Sequence, residues 1–147
     1  MRNKHGTPAA IACLRGDREH PQLRGRVVFT PWETGTLVTA QICGLPESET
    51  GFFALHIHEG GDCGGEGFGD TGGHYDPDNG PHPLHAGDLP PLLCCGGRAY
   101  MAVLTCRFSV KEIIGRTVVI HGPPDDFKTQ PAGGAGTKIA CGVIRRV

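Results

Sequence analysis

The chain has 147 residues and a formal net charge of −1, long enough to bury around two-thirds of its unfolded surface as one domain over 1–147. The near-zero charge argues against a general nucleic-acid or polyanion surface, and no run of 18 apolar residues offers a membrane-spanning helix. Glycine (24) and proline (12) make up about a quarter of the residues, and with short β-branched runs between them they read as the turns of an all-β fold.

In chain order, residues 1–8 (MRNKHGTP) are polar and read as a frayed tail. The AAIAC that follows is too short for the apolar core of a signal peptide. The sequence therefore reads as leaderless, which favours the cytoplasm; a periplasmic or extracellular location follows if a leader has been removed. Strands are expected at 9–14 (AAIACL), 24–30 (RGRVVFT), 36–43 (TLVTAQIC), 52–58 (FFALHIH), 89–95 (LPPLLCC), 99–107 (AYMAVLTCR), 116–121 (RTVVIH) and 138–144 (KIACGVI). Eight short strands between Gly/Pro loops predict a Greek-key β-sandwich or flattened barrel. Adjacent Leu37 and Val38 blur the inward face of the third strand. Segment 109–114 (SVKEII) suits a loop or a short turn of helix. Two loops, 59–88 and 122–137, are long enough to be functional.

The chemistry is concentrated between His56 and Asp88, where HIHEGGDCGGEGFGDTGGHYDPDNGPHPLHAGD holds five of the eight histidines in 33 residues. On a strand, His56 and His58 project to the same side and Ile57 to the other. Eight glycines in the next 15 residues lead to His74, then His82, His85 and Asp88. Three imidazoles and a carboxylate suit a closed tetrahedral Zn(II) site. His121 ends a later β-branched run. Two four-coordinate sites need eight ligand positions, and seven residues fill them if His74, lying between the strand pair and the loop cluster, bridges both ions. An imidazolate bridge of this kind would hold the metals roughly 6 Å apart. His5 and His20 fall outside the pattern and read as solvated, and Asp62 and Asp76 among glycines read as turn formers.

Seven cysteines leave at least one thiol free. Cys13, Cys43 and Cys106 lie in apolar strands and are expected to be buried small hydrophobes. Vicinal Cys94 and Cys95 would point to opposite faces, leaving one exposed; a separate soft-metal site there is the minor alternative.

The segments LHIHEGGDC, GGHYDP, HAGDLP, IIGRTVVIHGPPDD and GTKIACGVI, in this order from about Ala10 to Ile144, resemble the Cu,Zn superoxide dismutase family, bacterial members in particular. The resemblance implies the eight-stranded Greek-key fold and dismutation of superoxide, a small anionic substrate, by copper cycling between Cu(II) and Cu(I) beside a structural Zn(II). It assigns copper to His56, His58, His74 and His121, and zinc to His74, His82, His85 and Asp88. The copper–His74 bond would open and close as that nitrogen takes and gives a proton. Asp125 would accept N–H groups from His56 and His82, and Cys63 would pair with Cys141. The family arginine at the channel mouth corresponds to Lys138, which keeps the charge and loses the planar fork. Only Pro83 and Leu84 separate His82 from His85, which demands a tight turn. With the near-zero charge and no long apolar run, neither a nucleic-acid partner nor a membrane is expected, and a homodimer stays open. A second reading is a dismutase-like protein that carries or buffers zinc or copper with little turnover.

Overall fold

The computed structural model describes residues 6–147. Among these residues nine strands form: β1 (Ala10–Gly16), β2 (Arg24–Trp32), β3 (Gly35–Cys43), β4 (Phe52–Phe53), β5 (Leu55–His58), β6 (Leu92–Leu93), β7 (Arg98–Thr105), β8 (Thr117–His121) and β9 (Lys138–Arg146). Seven of them make one curled antiparallel sheet in the order β5-β8-β9-β1-β2-β3-β7, a half-barrel, while β4 and β6 pair separately. The chain crosses from β3, near one edge, to β5 at the other and returns to place β7 beside β3, which is the Greek-key path.

Period-two burial builds the core. Ala10 pairs with Phe29, Ala12 with Val27, and Phe29 with Val38, all facing inward. In β3, Val38, Ala40 and Ile42 point in and Leu37 points out, which resolves the blurred alternation. Leu55 and Ile57 of β5 join the same cluster, so His56 and His58 take the other face of their strand.

All eight expected strand positions carry a strand, with two instructive differences. Segment 52–58 breaks at Ala54, whose N–H donates to Pro123 O at 3.4 Å and whose carbonyl accepts His121 N–H at 3.0 Å. Segment 89–95 keeps only Leu92–Leu93, because Pro90 and Pro91 have no N–H for a ladder. Segment 109–114 forms one turn of helix, α1 (Val110–Ile113), where Ser109 N–H donates to Glu112 Oε2 at 2.7 Å. The expected tail over 1–8 falls outside the described residues as far as position 5; residues 6–8 are exposed and irregular.

The cysteine expectation needs correcting. Cys13 and Cys106 are exposed and Cys43 is half-buried. In β1, Ala12 and Leu14 occupy the inward positions, so the same alternation turns Cys13 out. Cys106 lies just past the end of β7. Cys95 is exposed and Cys94 packs partly against the core.

Candidate metal centre

Loop 59–88 folds back along the free edge of β5. Ile57 N–H donates to Gly87 O at 2.9 Å, Tyr75 N–H to Ile57 O at 2.8 Å and Glu59 N–H to Gly73 O at 2.9 Å. These bonds set His74 opposite His58 and Asp88 opposite His56 as isolated antiparallel bridges. The Cys63–Cys141 disulfide, with Cα atoms 5.8 Å apart, ties the start of the loop to β9. Arg107 holds the far end, donating from Nη1 to Pro83 O at 2.8 Å and His85 O at 3.1 Å. Leu84 N–H to Pro81 O, at 2.8 Å, closes the tight turn between His82 and His85, and both imidazoles are buried. Asp62 and Asp76 cap backbone N–H groups of Gly64 and Gly80, as turn formers do.

Seven side chains converge in two groups that share one member. His56, His58, His74 and His121 make the first, and His74, His82, His85 and Asp88 the second, each with its candidate ligand atoms within 4.8 Å of one another. The hydrogen bonds around the rings decide which nitrogens carry protons. His58 Nδ1 lies 2.8 Å from Gly72 O and His121 Nδ1 2.9 Å from Gly136 O. A carbonyl only accepts, so both Nδ1 atoms carry the proton. The two Nε2 lone pairs then face each other at 3.2 Å.

The pattern recurs around Asp125. Its Oδ2 accepts His56 Nε2–H and its Oδ1 accepts His82 Nε2–H, each at 2.8 Å. His56 Nδ1 and His82 Nδ1 are thereby bare lone pairs, buried without a hydrogen-bond partner, as is His74 Nε2. The 3.0 Å between His82 Nδ1 and Asp88 Oδ2 sets two acceptors side by side and is not a hydrogen bond. His85 Nδ1 stands 3.3 Å from both His74 Nδ1 and Asp88 Oδ2.

These spacings fit resident metals. An ion about 2.0–2.1 Å from four tetrahedral donors sets neighbouring donors about 3.3 Å apart. Buried lone pairs that face one another need a cation between them, and the interior disfavours a proton in that role. Burial, reinforced by neighbouring His74 and His121, lowers His56 to about 2. Burial likewise lowers His58 to about 2 and His121 to about 4. Burial opposes ionisation of Asp88, but the hydrogen bond to His74 and the nearby imidazoles outweigh it and hold the carboxyl below its usual range.

Lys138, at the start of β9, donates from Nζ to Thr71 Oγ1 at 2.7 Å and Gly72 O at 3.2 Å. Gly72 O is the same carbonyl that accepts His58 Nδ1–H, so the ammonium stands one backbone group from the first cluster. Partial burial lowers its pKa. Sequence reasoning missed Gly72 O, Gly136 O and Gln130. Gln130 clamps the two long loops, accepting His82 N–H at 2.8 Å and donating to His82 O at 2.7 Å. A backbone carbonyl leaves no mark in a sequence, and a lone glutamine in TQPAGG carries no motif.

A Greek-key half-barrel with an all-imidazole group and an imidazole–carboxylate group sharing one histidine defines a dinuclear metalloenzyme with one redox-capable position and one closed position. The chain belongs to the copper/zinc superoxide dismutase family: the family profile described as "Copper/zinc superoxide dismutase (SODC)" matches residues 23–144. It is 38% identical over 133 residues to the "Superoxide dismutase [Cu-Zn]" of Legionella pneumophila, covering 85% of this chain and 80% of that one. It is 34% identical over 148 residues to the enzyme of the same name from Deinococcus radiodurans, covering 86% and 79%. The solved "Cu/Zn superoxide dismutase from Brucella abortus" superposes with a TM-score of 0.76 at 27% identity, covering 91% of this chain and 98% of that one. The protein is a superoxide dismutase with copper and zinc as its cofactors.

Proposed function

We propose that His56, His58, His74 and His121 hold copper, that His74, His82, His85 and Asp88 hold zinc, and that His74 serves both through its two ring nitrogens. The observation that carries this assignment is the set of buried lone pairs directed at one another: His58 Nε2 against His121 Nε2, and His82 Nδ1 against Asp88 Oδ2. His74 Nε2 belongs to the first set, and its Nδ1, which donates to Asp88 Oδ1 at 2.7 Å, would give up that proton to join the second.

Bound copper supplies the Cu(II)/Cu(I) couple and zinc a redox-inert positive charge. Two superoxide anions and two protons become O2 and H2O2, and the chain's own part is to hold charge and protons in place. His74 Nε2 is the nitrogen placed to take up a proton and hand it to the departing peroxide. Asp125 fixes the tautomers of His56 and His82 together, so the two groups keep a common orientation. Gly72 O and Gly136 O do the same for His58 and His121. Lys138 provides positive charge for an anionic substrate, with its ammonium already committed to Thr71 and Gly72. The all-imidazole group is complete, and no observation favours a carrier role without turnover.

Anomalous scattering at the copper and zinc edges, from crystals of the fully loaded oxidised protein, tests the assignment. Copper in the first group, zinc in the second and His74 ligating both is the expected result. His74 touching one ion, or both ions found in one group, overturns it.

A further inference from the structure

Among the described residues the strands hold none of the 15 aspartates and glutamates but seven of the 12 lysines and arginines. The net charge of −1 averages over this segregation, and the absence of a polyanion surface expected from it does not hold locally. Strand register gathers five arginines on the outer face of the sheet, all exposed. Arg15 of β1 stands directly opposite Arg24 of β2; Arg24 faces Cys43 of β3, and Cys43 faces Arg98 of β7. One pleat along, Arg26 faces Gln41, which faces Tyr100; a further pleat along, Arg145 of β9 faces Ile11.

Like charges directly opposite each other cost a sheet stability. Here nothing offsets the cost: the one side-chain partner of these five arginines among the described residues is Gln41, whose Oε1 accepts Arg26 Nε–H at 2.8 Å. Asp17, at the end of β1, is occupied by His20 and by the N–H groups of Glu19 and His20. Arg15, Arg24 and Arg26 line one shallow hollow. At the β7 end the belt runs into an apolar patch of Phe52, Leu93 and Tyr100, exposed by 40%, 58% and 67%. Phe52 pairs with Leu93 across the small sheet, and Leu93 shares a second hollow with Arg98 and Tyr100.

We propose that this face docks the enzyme onto a bilayer rich in anionic phospholipid. The guanidinium groups take headgroup phosphates, and Phe52, Leu93 and Tyr100 enter the boundary between headgroups and acyl chains. Planar guanidinium forks bind phosphate through paired hydrogen bonds. An apolar patch beside a cationic belt is what interfacial binding requires. Two other occupants fit less well. A second copy pairing the apolar patches about a two-fold axis would leave the arginine belt without an acidic partner. A soluble polyanion accounts for the arginines and leaves the apolar patch in water. The candidate ligands lie on β5, β8 and loop 59–88, none of which contributes an arginine to the belt, so a docked molecule keeps its metal centre clear of the contact.

Co-sedimentation of the copper- and zinc-loaded protein with vesicles tests the proposal. Phosphatidylcholine vesicles with and without phosphatidylglycerol are compared at low and high salt, beside a single-stranded oligonucleotide and lipid-free sedimentation velocity. Retention on the phosphatidylglycerol vesicles alone, weakened by salt, is expected. Each basic residue at an anionic surface is worth about fivefold in affinity. Arg15→Gln/Arg24→Gln/Arg26→Gln should therefore lower vesicle affinity on the order of 100-fold, with the dismutation rate unchanged. Leu93→Ser/Tyr100→Ser should weaken vesicle binding while leaving its salt dependence intact. No retention on phosphatidylglycerol at low salt, or equal retention on pure phosphatidylcholine, overturns the proposal. Tighter binding to the oligonucleotide than to vesicles, or a dimer disrupted by Leu93→Ser/Tyr100→Ser, overturns it in favour of that partner.

Discussion

Gly133 sits against the Asp125–His82 hydrogen bond with φ +68°, and a Cβ built there would overlap Asp125 Oδ1 and His82 Nε2. Gly133→Ala should push the carboxylate off His82 and weaken zinc binding by about 10–100-fold, the usual scale for losing an outer hydrogen bond to a ligand. Chelator competition on the zinc-loaded protein measures it, and unchanged affinity would show that the Asp125 contact does not orient His82. Lys138 gives a second test by pulse radiolysis on loaded protein. Lys138→Arg should turn over faster than the parent, because a planar fork orients an anion better than an ammonium. Lys138→Ala should lose about tenfold in kcat/KM, most of it at low ionic strength. At this scale the sequence was most informative about groups whose chemistry is in the side chain. Six histidines and Asp88 declare themselves by type and spacing, whereas Gly72 and Gly136 act through carbonyl oxygens that every residue has.

Among the elements, strands were legible through alternation and misread where alternation competes with composition. Cys13 looks buried because its neighbours are apolar, yet Ala12 and Leu14 already fill the inward positions of β1. The 52–58 segment looks continuous, but Ala54 spends its backbone on Pro123 and His121 and divides it. Loop 59–88 was legible as a ligand carrier and illegible as a shape, since its course depends on backbone bonds to β5 and on Arg107. Its anchor at Cys63–Cys141 closes 78 residues, and loop-closure entropy puts the stabilisation at about 4–5 kcal/mol. Cys63→Ser/Cys141→Ser should therefore lower the urea-unfolding free energy of metal-free protein by about 2–5 kcal/mol and speed metal loss to a chelator. A change within error would mean that the metal loop is held without the covalent link.

For the molecule as a whole, the buried histidines set an acid limit. Burial holds their folded-state pKa values below the ordinary imidazole value of 6.5, at about 2 for His56 and His58 and about 4 for His121. Below pH 6.5 the unfolded chain binds protons that the folded chain refuses, so stability falls with pH across the window from 6.5 towards 4 and then 2. Metal-free protein should show a urea midpoint at pH 5 clearly below that at pH 7.5, and equal midpoints would contradict the burial argument. Metal loading should move the onset of unfolding to lower pH, because acid must then first displace the ions. Charge segregation was the feature least visible in the sequence, since it appears only when register lines up Arg15, Arg24 and Arg98. The backbone pairing between β5 and the histidine-bearing loop has a last consequence. A strand at the end of a sheet is a template on which foreign chains can polymerise unless something shields it. In this protein the shield is the segment that carries His74 and Asp88, so a molecule whose loop 59–88 comes away from β5 also loses its guard against sticking to its own kind.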